Sequence, residues 1–210
     1  MTQTMDASPF ARFATTTYSD VITRDRVMDL GMRPLWSPVP RIAGPAYPVR
    51  NEPGDNLMLH IAIHKAPPGS IIVCQAGDHD YAQAGGNVCA WAQKRGVAGI
   101  VCDGAIRDVG ESREHGFPLF GRGIIPIPAK RGKKGVLNGP VSCGGVAVAP
   151  GDMVIADDEG IVVLPAAKAD EILRAAEAKA AKDAATSLED WVAAHKKTID
   201  DLIAKLGIDA

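Results

Sequence analysis

The chain has 210 residues, 46% apolar and 23% charged, and its 23 basic and 25 acidic side chains leave a formal net charge of −2. That is enough for one well-buried domain with an appendage, and the near-balance of charge gives no electrostatic footprint for nucleic acid or a membrane surface. Met1 to Arg12 lacks the apolar core of a signal peptide, no run approaches membrane-spanning length, and Cys74, Cys89, Cys102 and Cys143 stand singly, so reduced, buried thiols in a cytoplasmic protein are expected.

Residues 1–16 read as a polar, irregular arm. Ser19 can cap a helix through Val21, Ile22, Val27 and Met28 to a stop at Gly31. Pro34 to Pro40 is turn-rich, and Arg41 to Val49 reads as a strand. Asp55 can cap a helix from Asn56 to Lys65, which Pro67-Pro68-Gly69 stops before a short apolar strand, Ser70 to Gln75. Gly85-Gly86 opens a helix from Asn87 to Lys94, followed by an apolar strand, Val97 to Cys102. Val109 to His115 is a short helix, and Leu119 to Ile127 a strand. A glycine- and lysine-bearing loop, Pro126 to Pro140, leads to strands at Val141 to Val148, Asp152 to Ala156 and Gly160 to Leu164. Pro150-Gly151 and Asp157-Asp158-Glu159-Gly160 supply turn chemistry between them. From Ala166 the composition shifts to Ala, Lys and Glu, so residues 166–210 form a helical extension on a core of residues 1–165. Thr186-Ser187-Leu188-Glu189 resembles a capping box, and Leu188, Trp191, Val192, His195, Ile199, Leu202, Ile203 and Leu206 make one apolar stripe. Such a stripe must lie on its own core or on a neighbouring subunit.

The chemistry-bearing stretch begins at Gly85-Gly86-Asn87-Val88. Twenty residues separate Gly86 from Arg107-Asp108, and Glu111 follows. In an α/β fold, a helix N-terminus and a strand's carboxyl end can face one crevice. The helix offers free N–H groups to an anion, Arg107 a bidentate fork for a carboxylate, and Asp108 a hard oxygen for a divalent cation. This pattern suits a small oxo acid held beside a metal. Plainer readings stand beside it. Asp108 can be the N-cap of the next helix, Arg107 can pair with Glu111 four residues on, and paired glycines mark turns. Asp103 ends a strand beside the expected pocket. His60 and His64 have the spacing of a metal pair without an evident third ligand, so satisfied core histidines are expected. Asp78-His79-Asp80 reads as a solvated turn, Asp157-Asp158-Glu159 as a hairpin turn, and Lys130-Arg131-Gly132-Lys133-Lys134 as a solvated loop tip.

Four stretches in order, Pro53 to His60, Gly86 to Glu111, Phe117-Pro118, and Pro150 through Gly160 with its following strand, resemble one family. It contains 4-hydroxy-4-methyl-2-oxoglutarate/4-carboxy-4-hydroxy-2-oxoadipate aldolase and the regulator of ribonuclease activity A, and the similarity spans roughly residues 17 to 180. The resemblance implies an α/β fold, a three-layer β/β/α swivelling-type domain assembling as a homotrimer or homohexamer. It implies a class II aldolase that releases pyruvate, with oxaloacetate decarboxylation as a side activity. Asp108 would then ligate Mg²⁺ or Mn²⁺, and Arg107 would hold the pyruvyl carboxylate and carbonyl. The backbone of Asn87 and Val88, shaped by Gly85 and Gly86, would take the other carboxylate oxygen. Where the aldolases of the family carry an aspartate, this chain has Gly86. They also borrow a glutamate from a neighbouring subunit's C-terminal region, for which Glu189 is the positional candidate; Asp103 and Glu111 would support the site from outside. Two alternatives accompany this reading: a protein-binding regulator of ribonuclease activity without catalysis, and a lyase acting on another hydroxy-oxo acid.

Overall fold

A computed structural model of the protein describes residues 6–208. The chain runs through α1 (Thr15–Ser19), β1 (Arg33–Pro34), β2 (Ile42–Arg50), α2 (Leu57–Lys65), β3 (Ile71–Gln75), α3 (Gly86–Lys94), β4 (Gly99–Ile106), α4 (Val109–Glu114) and β5 (Leu119–Ile124). It continues with β6 (Val136–Leu137), β7 (Val141–Cys143), β8 (Val146–Val148), β9 (Met153–Asp157), β10 (Gly160–Leu164), α5 (Ala169–Ala185) and α6 (Leu188–Leu206). The main sheet has the order β1-β5-β4-β3-β2-β9-β10 with β6 beside β2, and β7 and β8 form a separate hairpin. Strands β2 to β5 are parallel, each joined to the next by a helix.

Alternation along the strands builds three layers, since successive side chains of a strand point to opposite faces. Ile72, Cys74, Ile100 and Cys102 face α2 and α3, meeting Met58, Leu59, Ala62, Cys89 and Ala92. Their neighbours Ile71, Val73, Val101 and Phe120 face the other way, onto Val154 and Ala156 of β9, Ile161 and Val163 of β10, and the β7–β8 hairpin. The outer face of β9 and β10, through Met153, Ile155, Val162 and Leu164, is covered by Phe10, Tyr18 and the Ala169–Ala176 turns of α5. Helix layer, sheet and returning sheet thus give the expected β/β/α order, and α1 with α5 adds a further helical cover outside β9 and β10. Strand β3 is buried on both faces, which is why its sequence is a continuous apolar run rather than an alternating one.

Four expectations fail locally. The segment read as an irregular arm is packed where it is described: Phe10 and Tyr18 are buried, and the Tyr18 hydroxyl donates to Phe10 O at 2.9 Å. Residues 1–5 of that arm lie outside the described residues. Ser19 ends a short helix instead of opening one. Asp157 decides this from across the fold, accepting the Thr15 N–H at 3.0 Å and its hydroxyl at 2.6 Å and so starting α1 early. Val27 and Met28 then run beside β10, with the Met28 N–H donating to Ile161 O at 3.0 Å. Val141 to Val148 is two strands, because Gly144 and Gly145 have φ of 55° and 77°, a pair of left-handed residues that closes a tight hairpin. The capping box is one residue out of frame: Ser187 Oγ accepts the Asp190 N–H at 3.0 Å, and Thr186 lies outside the helix.

Candidate active site

Residues 82–85 run along the carboxyl end of β4. The Gln83 N–H donates to Ala105 O at 2.9 Å and the Arg107 N–H to Ala84 O at 3.0 Å. On the other side Ala82 exchanges bonds with the next segment, its N–H to Ile127 O at 2.8 Å and its O from the Ala129 N–H at 3.0 Å. The Lys130 N–H continues to Gly54 O, and the Asn56 N–H returns to Lys130 O, both at 2.9 Å. The N-terminus of α3, the end of β4, residues 127–131 and the start of α2 therefore enclose one cavity of about 190 Å³. Its walls include Gly85 to Val88, Arg107 and Asp108 on one side and Asn56, His60 and Arg131 on the other.

Asp108 occupies the N-cap position of α4, yet its side chain makes no capping hydrogen bond. It sits in the left-handed region, φ 57° and ψ 33°, which aspartate tolerates at a cost and which clusters at functional sites. That twist turns the carboxylate back across the crevice: Oδ2 accepts the Gly86 N–H at 3.0 Å and lies 3.4 Å from Arg107 Nε. Asp108 thus holds the N-cap position without the side-chain bond that would make capping its task, and Arg107 sits beside Asp108, with no ion pair to Glu111 among the described residues. The pair remains reachable, with side chains 40% and 38% exposed. Gly85 is required for this approach. A Cβ there would stand 2.6 Å from Asp108 Oδ2 and 2.9 Å from Arg107 Nε. Gly86 is the first residue of α3 and the first N–H of its interior ladder belongs to Cys89, bonded to Gly85 O. The Asn87 and Val88 N–H groups are thus left as free donors at a helix N-terminus, a ready anion site.

Gly86 also faces Glu111. A Cβ on Gly86 would overlap Glu111 Oε2, so the glutamate's carboxylate fills the space into which an aspartate at 86 would project. Glu111 lines a smaller neighbouring cavity, of about 130 Å³, together with Gly86 and Asn87.

One of the residues expected to support the site is elsewhere. Asp103 forms an ion pair with Arg122 and accepts the Gly144 N–H at 2.8 Å, while Arg122 also grips Asp29 at 2.8 and 3.0 Å. Asp103 faces the β7–β8 side of the sheet because alternation puts Cys102 on the helix side. Glu189 is exposed on α6, apart from the cavity that holds Arg107 and Asp108. His60 and Arg131, expected as a core histidine and a solvated loop tip, instead stand in the cavity wall. The Arg131 Nη1 lies 3.3 Å from His60 Nε2. Burial, then the Arg131 charge, push the His60 imidazolium down to about 4, so the ring is neutral near pH 7. The missed signal was that Pro53 to His60, already singled out, ends on the same helix start that residues 130–133 bind. His64 instead accepts from Trp91 Nε1 at 3.1 Å, so the two histidines do not converge. Asp157 closes the β9–β10 hairpin as expected and binds Thr15 and Arg41.

Among the described residues no three His, Cys, Asp or Glu side chains are grouped to form a closed metal cage. Magnesium asks for less: one or two carboxylates, with water filling most remaining positions. Asp108 fits that demand. Its Oδ1 accepts no hydrogen bond among those of the described residues, and its side chain is open to solvent.

The RraA-like family model, described as Aldolase/RraA, matches residues 4–163. A Halalkalibacterium halodurans protein named "Putative 4-hydroxy-4-methyl-2-oxoglutarate aldolase" is 36% identical over 197 residues, covering 92% of this chain and 93% of its own. Among solved structures, Streptomyces coelicolor RraAS2, described as an unusual member of the RNase ES inhibitor RraA family, is 30% identical with a TM-score of 0.70. The match covers 83% of this chain and 92% of that one. The RNA-processing inhibitor RraA from Thermus thermophilis is 28% identical with a TM-score of 0.66, over 73% and 93% of the two chains.

Proposed function

The chain belongs to the RraA-like family of aldolases and RraA proteins, and from that premise we propose that it is a divalent-metal-dependent aldolase. Its substrate is 4-hydroxy-4-methyl-2-oxoglutarate or a related 4-hydroxy-2-oxo acid, which it cleaves to pyruvate, and oxaloacetate decarboxylation is the side activity of the same site. One observation carries the reading. The Asp108 carboxylate is turned, through a left-handed backbone, away from its own helix and into the crevice beside Arg107 and the α3 N-terminus.

The roles follow from that placement. Arg107 presents its fork to the carboxylate and carbonyl oxygens of the pyruvyl end. The Asn87 and Val88 N–H groups take the second carboxylate oxygen. The C4 hydroxyl gives its proton to water and becomes the carbonyl of the departing fragment as the C3–C4 bond breaks. Charge collects on the C2 carbonyl oxygen as the enolate forms, the fixed Arg107 guanidinium stabilises it without reorganising, and protonation at C3 by water yields pyruvate. Asp108 would hold Mg²⁺ or Mn²⁺, whose chemistry when bound is Lewis-acid polarisation of that same carbonyl. Glu111 supplies a carboxylate where Gly86 lacks one and positions the water around the site.

The solved relatives named as RraA favour a second reading, a regulator that binds an RNA-degrading enzyme without chemistry. The assay that separates them is pyruvate release, coupled to lactate dehydrogenase, from 4-hydroxy-4-methyl-2-oxoglutarate and from oxaloacetate. The aldolase reading expects release that stops with EDTA and returns with Mg²⁺. Release unaffected by EDTA contradicts the metal, and a folded protein silent on both substrates favours the regulator.

A further inference from the structure

The smaller cavity beside the site is a slot between α3 and α4, with Gly86, Cys89 and Gln93 on one side and Glu111, Ser112 and His115 on the other. Its walls are fixed to each other and to the core. Gln93 Nε2 donates to His115 O at 2.8 Å, and the Phe117 N–H to Ser112 O at 2.8 Å. Ser112 is 2% exposed, yet its Oγ has no hydrogen-bond partner among the described residues. Cys89 gives it little to bond: burial pushes that thiol up to about 11 despite the Ser112 hydroxyl beside it, so it stays a weakly polar S–H group near pH 7. An unpaired buried hydroxyl is costly. Water is the partner that a polar slot of about 130 Å³ admits, since each molecule takes about 30 Å³ and needs two or more polar neighbours.

Glu111 supplies the second neighbour. It is exposed at the rim of the slot, and its Oε2 lies where a Cβ on Gly86 would project. Arg107, four residues before it, is turned to Asp108 instead, and among the described residues no ion pair holds the Glu111 carboxylate. An unrestrained glutamate side chain spreads over several rotamers. A carboxylate that is to stay beside Gly86 therefore needs an anchor, and the buried hydroxyl across the slot needs a partner.

We propose that the slot holds bound water bridging Ser112 Oγ and the Glu111 carboxylate, which makes Ser112 the positioning residue that keeps Glu111 beside the metal site. The inference rests on the metal-site reading above and deepens it. Ser112 acts through Glu111 and touches neither substrate nor metal, so its contribution vanishes once Glu111 is removed.

Titration with Mn²⁺ in the absence of substrate, followed by electron paramagnetic resonance, tests this in the parent, Ser112→Ala, Glu111→Ala and the double variant, with thermal melts to confirm folding. Ser112→Ala is expected to weaken Mn²⁺ binding about two- to tenfold, the scale of one hydrogen bond. Glu111→Ala should weaken it about tenfold or more, and the double variant no further, as residues acting in one network are non-additive. Ser112→Thr keeps the hydroxyl and should bind like the parent. Parent-like binding by Ser112→Ala overturns the bridge and leaves the metal site standing. So does a Ser112→Ala loss that persists in full without Glu111, or one that Ser112→Thr shares. A Glu111→Ala protein that binds Mn²⁺ like the parent overturns the bridge by removing Glu111 from the metal site. If the parent itself binds no Mn²⁺, the metal reading fails and the bridge falls with it.

Discussion

At the scale of single residues, the site is organised by what two glycines permit. Gly85 lets Arg107 and Asp108 close against the backbone, and Gly86 yields its side-chain space to Glu111. The resemblance implies a carboxylate at position 86; in this chain the space beside Gly86 is filled by the Glu111 carboxylate, four residues beyond Arg107. The replacement is testable because Gly86 has ordinary helical geometry at the first turn of α3, where aspartate is favoured by the helix dipole. Glu111→Ala is expected to reduce metal-dependent pyruvate release by about 10- to 100-fold, the usual loss for an outer partner of a metal site. Adding Gly86→Asp to that variant should restore most of it. A Glu111→Ala protein with full activity would show that the two carboxylates are not equivalent.

At the scale of elements, the sequence was readable wherever local chemistry and the tertiary setting agreed. β3, α3, β4, β9 and β10 lie within a few residues of where apolar runs and turn residues put them, because glycine and proline punctuate each one. The Arg107-Asp108 site was readable for the same reason: a strand end and a helix start are both marked in the sequence. The distal wall was not. Nothing in Lys130 to Lys134 says that their backbone amides and carbonyls bind the start of α2, since the pairing reaches across 78 positions between Asp55 and Lys133. The N-terminal helix was misplaced by a contact of still longer range. Burial pushes the Asp157 carboxyl up, but the Thr15 hydroxyl and N–H, Arg41 and the Glu159 N–H outweigh it, and the net shift is below the usual carboxylate value. A depressed acid stabilises the fold above its unfolded value and loses that contribution as pH falls through the folded one. Asp157→Ala should therefore destabilise the protein at pH 7 by about 1–3 kcal/mol, the cost of leaving buried donors unpaired. The variant's stability gap to the parent should shrink below about pH 4, as urea melts at both pH values would reveal. A gap that stays constant with pH would assign the loss to packing alone.

At the scale of the whole molecule, α5 and α6 behave differently. α5 buries Ala169 and Ala176 against the core, whereas α6 has no buried residue and leaves Leu188, Trp191, Val192 and Leu202 exposed. An apolar stripe along a 19-residue helix is not a stable solvent face. A homotrimer or homohexamer, with α6 seated on a neighbouring copy, would cover it and could bring Glu189 toward that copy's site. Sedimentation should find a trimer or hexamer for the parent and smaller species for a Trp191→Asp/Leu202→Asp variant; a monomeric parent would remove α6 from the assembly. The central claim, that the twisted Asp108 carboxylate serves chemistry and not the fold, is met most directly by pyruvate release from 4-hydroxy-4-methyl-2-oxoglutarate in Asp108→Ala, with thermal melting as the control. Asp108→Ala should still fold cooperatively, with a melt lowered only by the modest cost of alanine in a left-handed backbone, and release pyruvate more than about 100-fold more slowly, beyond what an outer partner costs. A folded Asp108→Ala protein that releases pyruvate at the parent rate would contradict it.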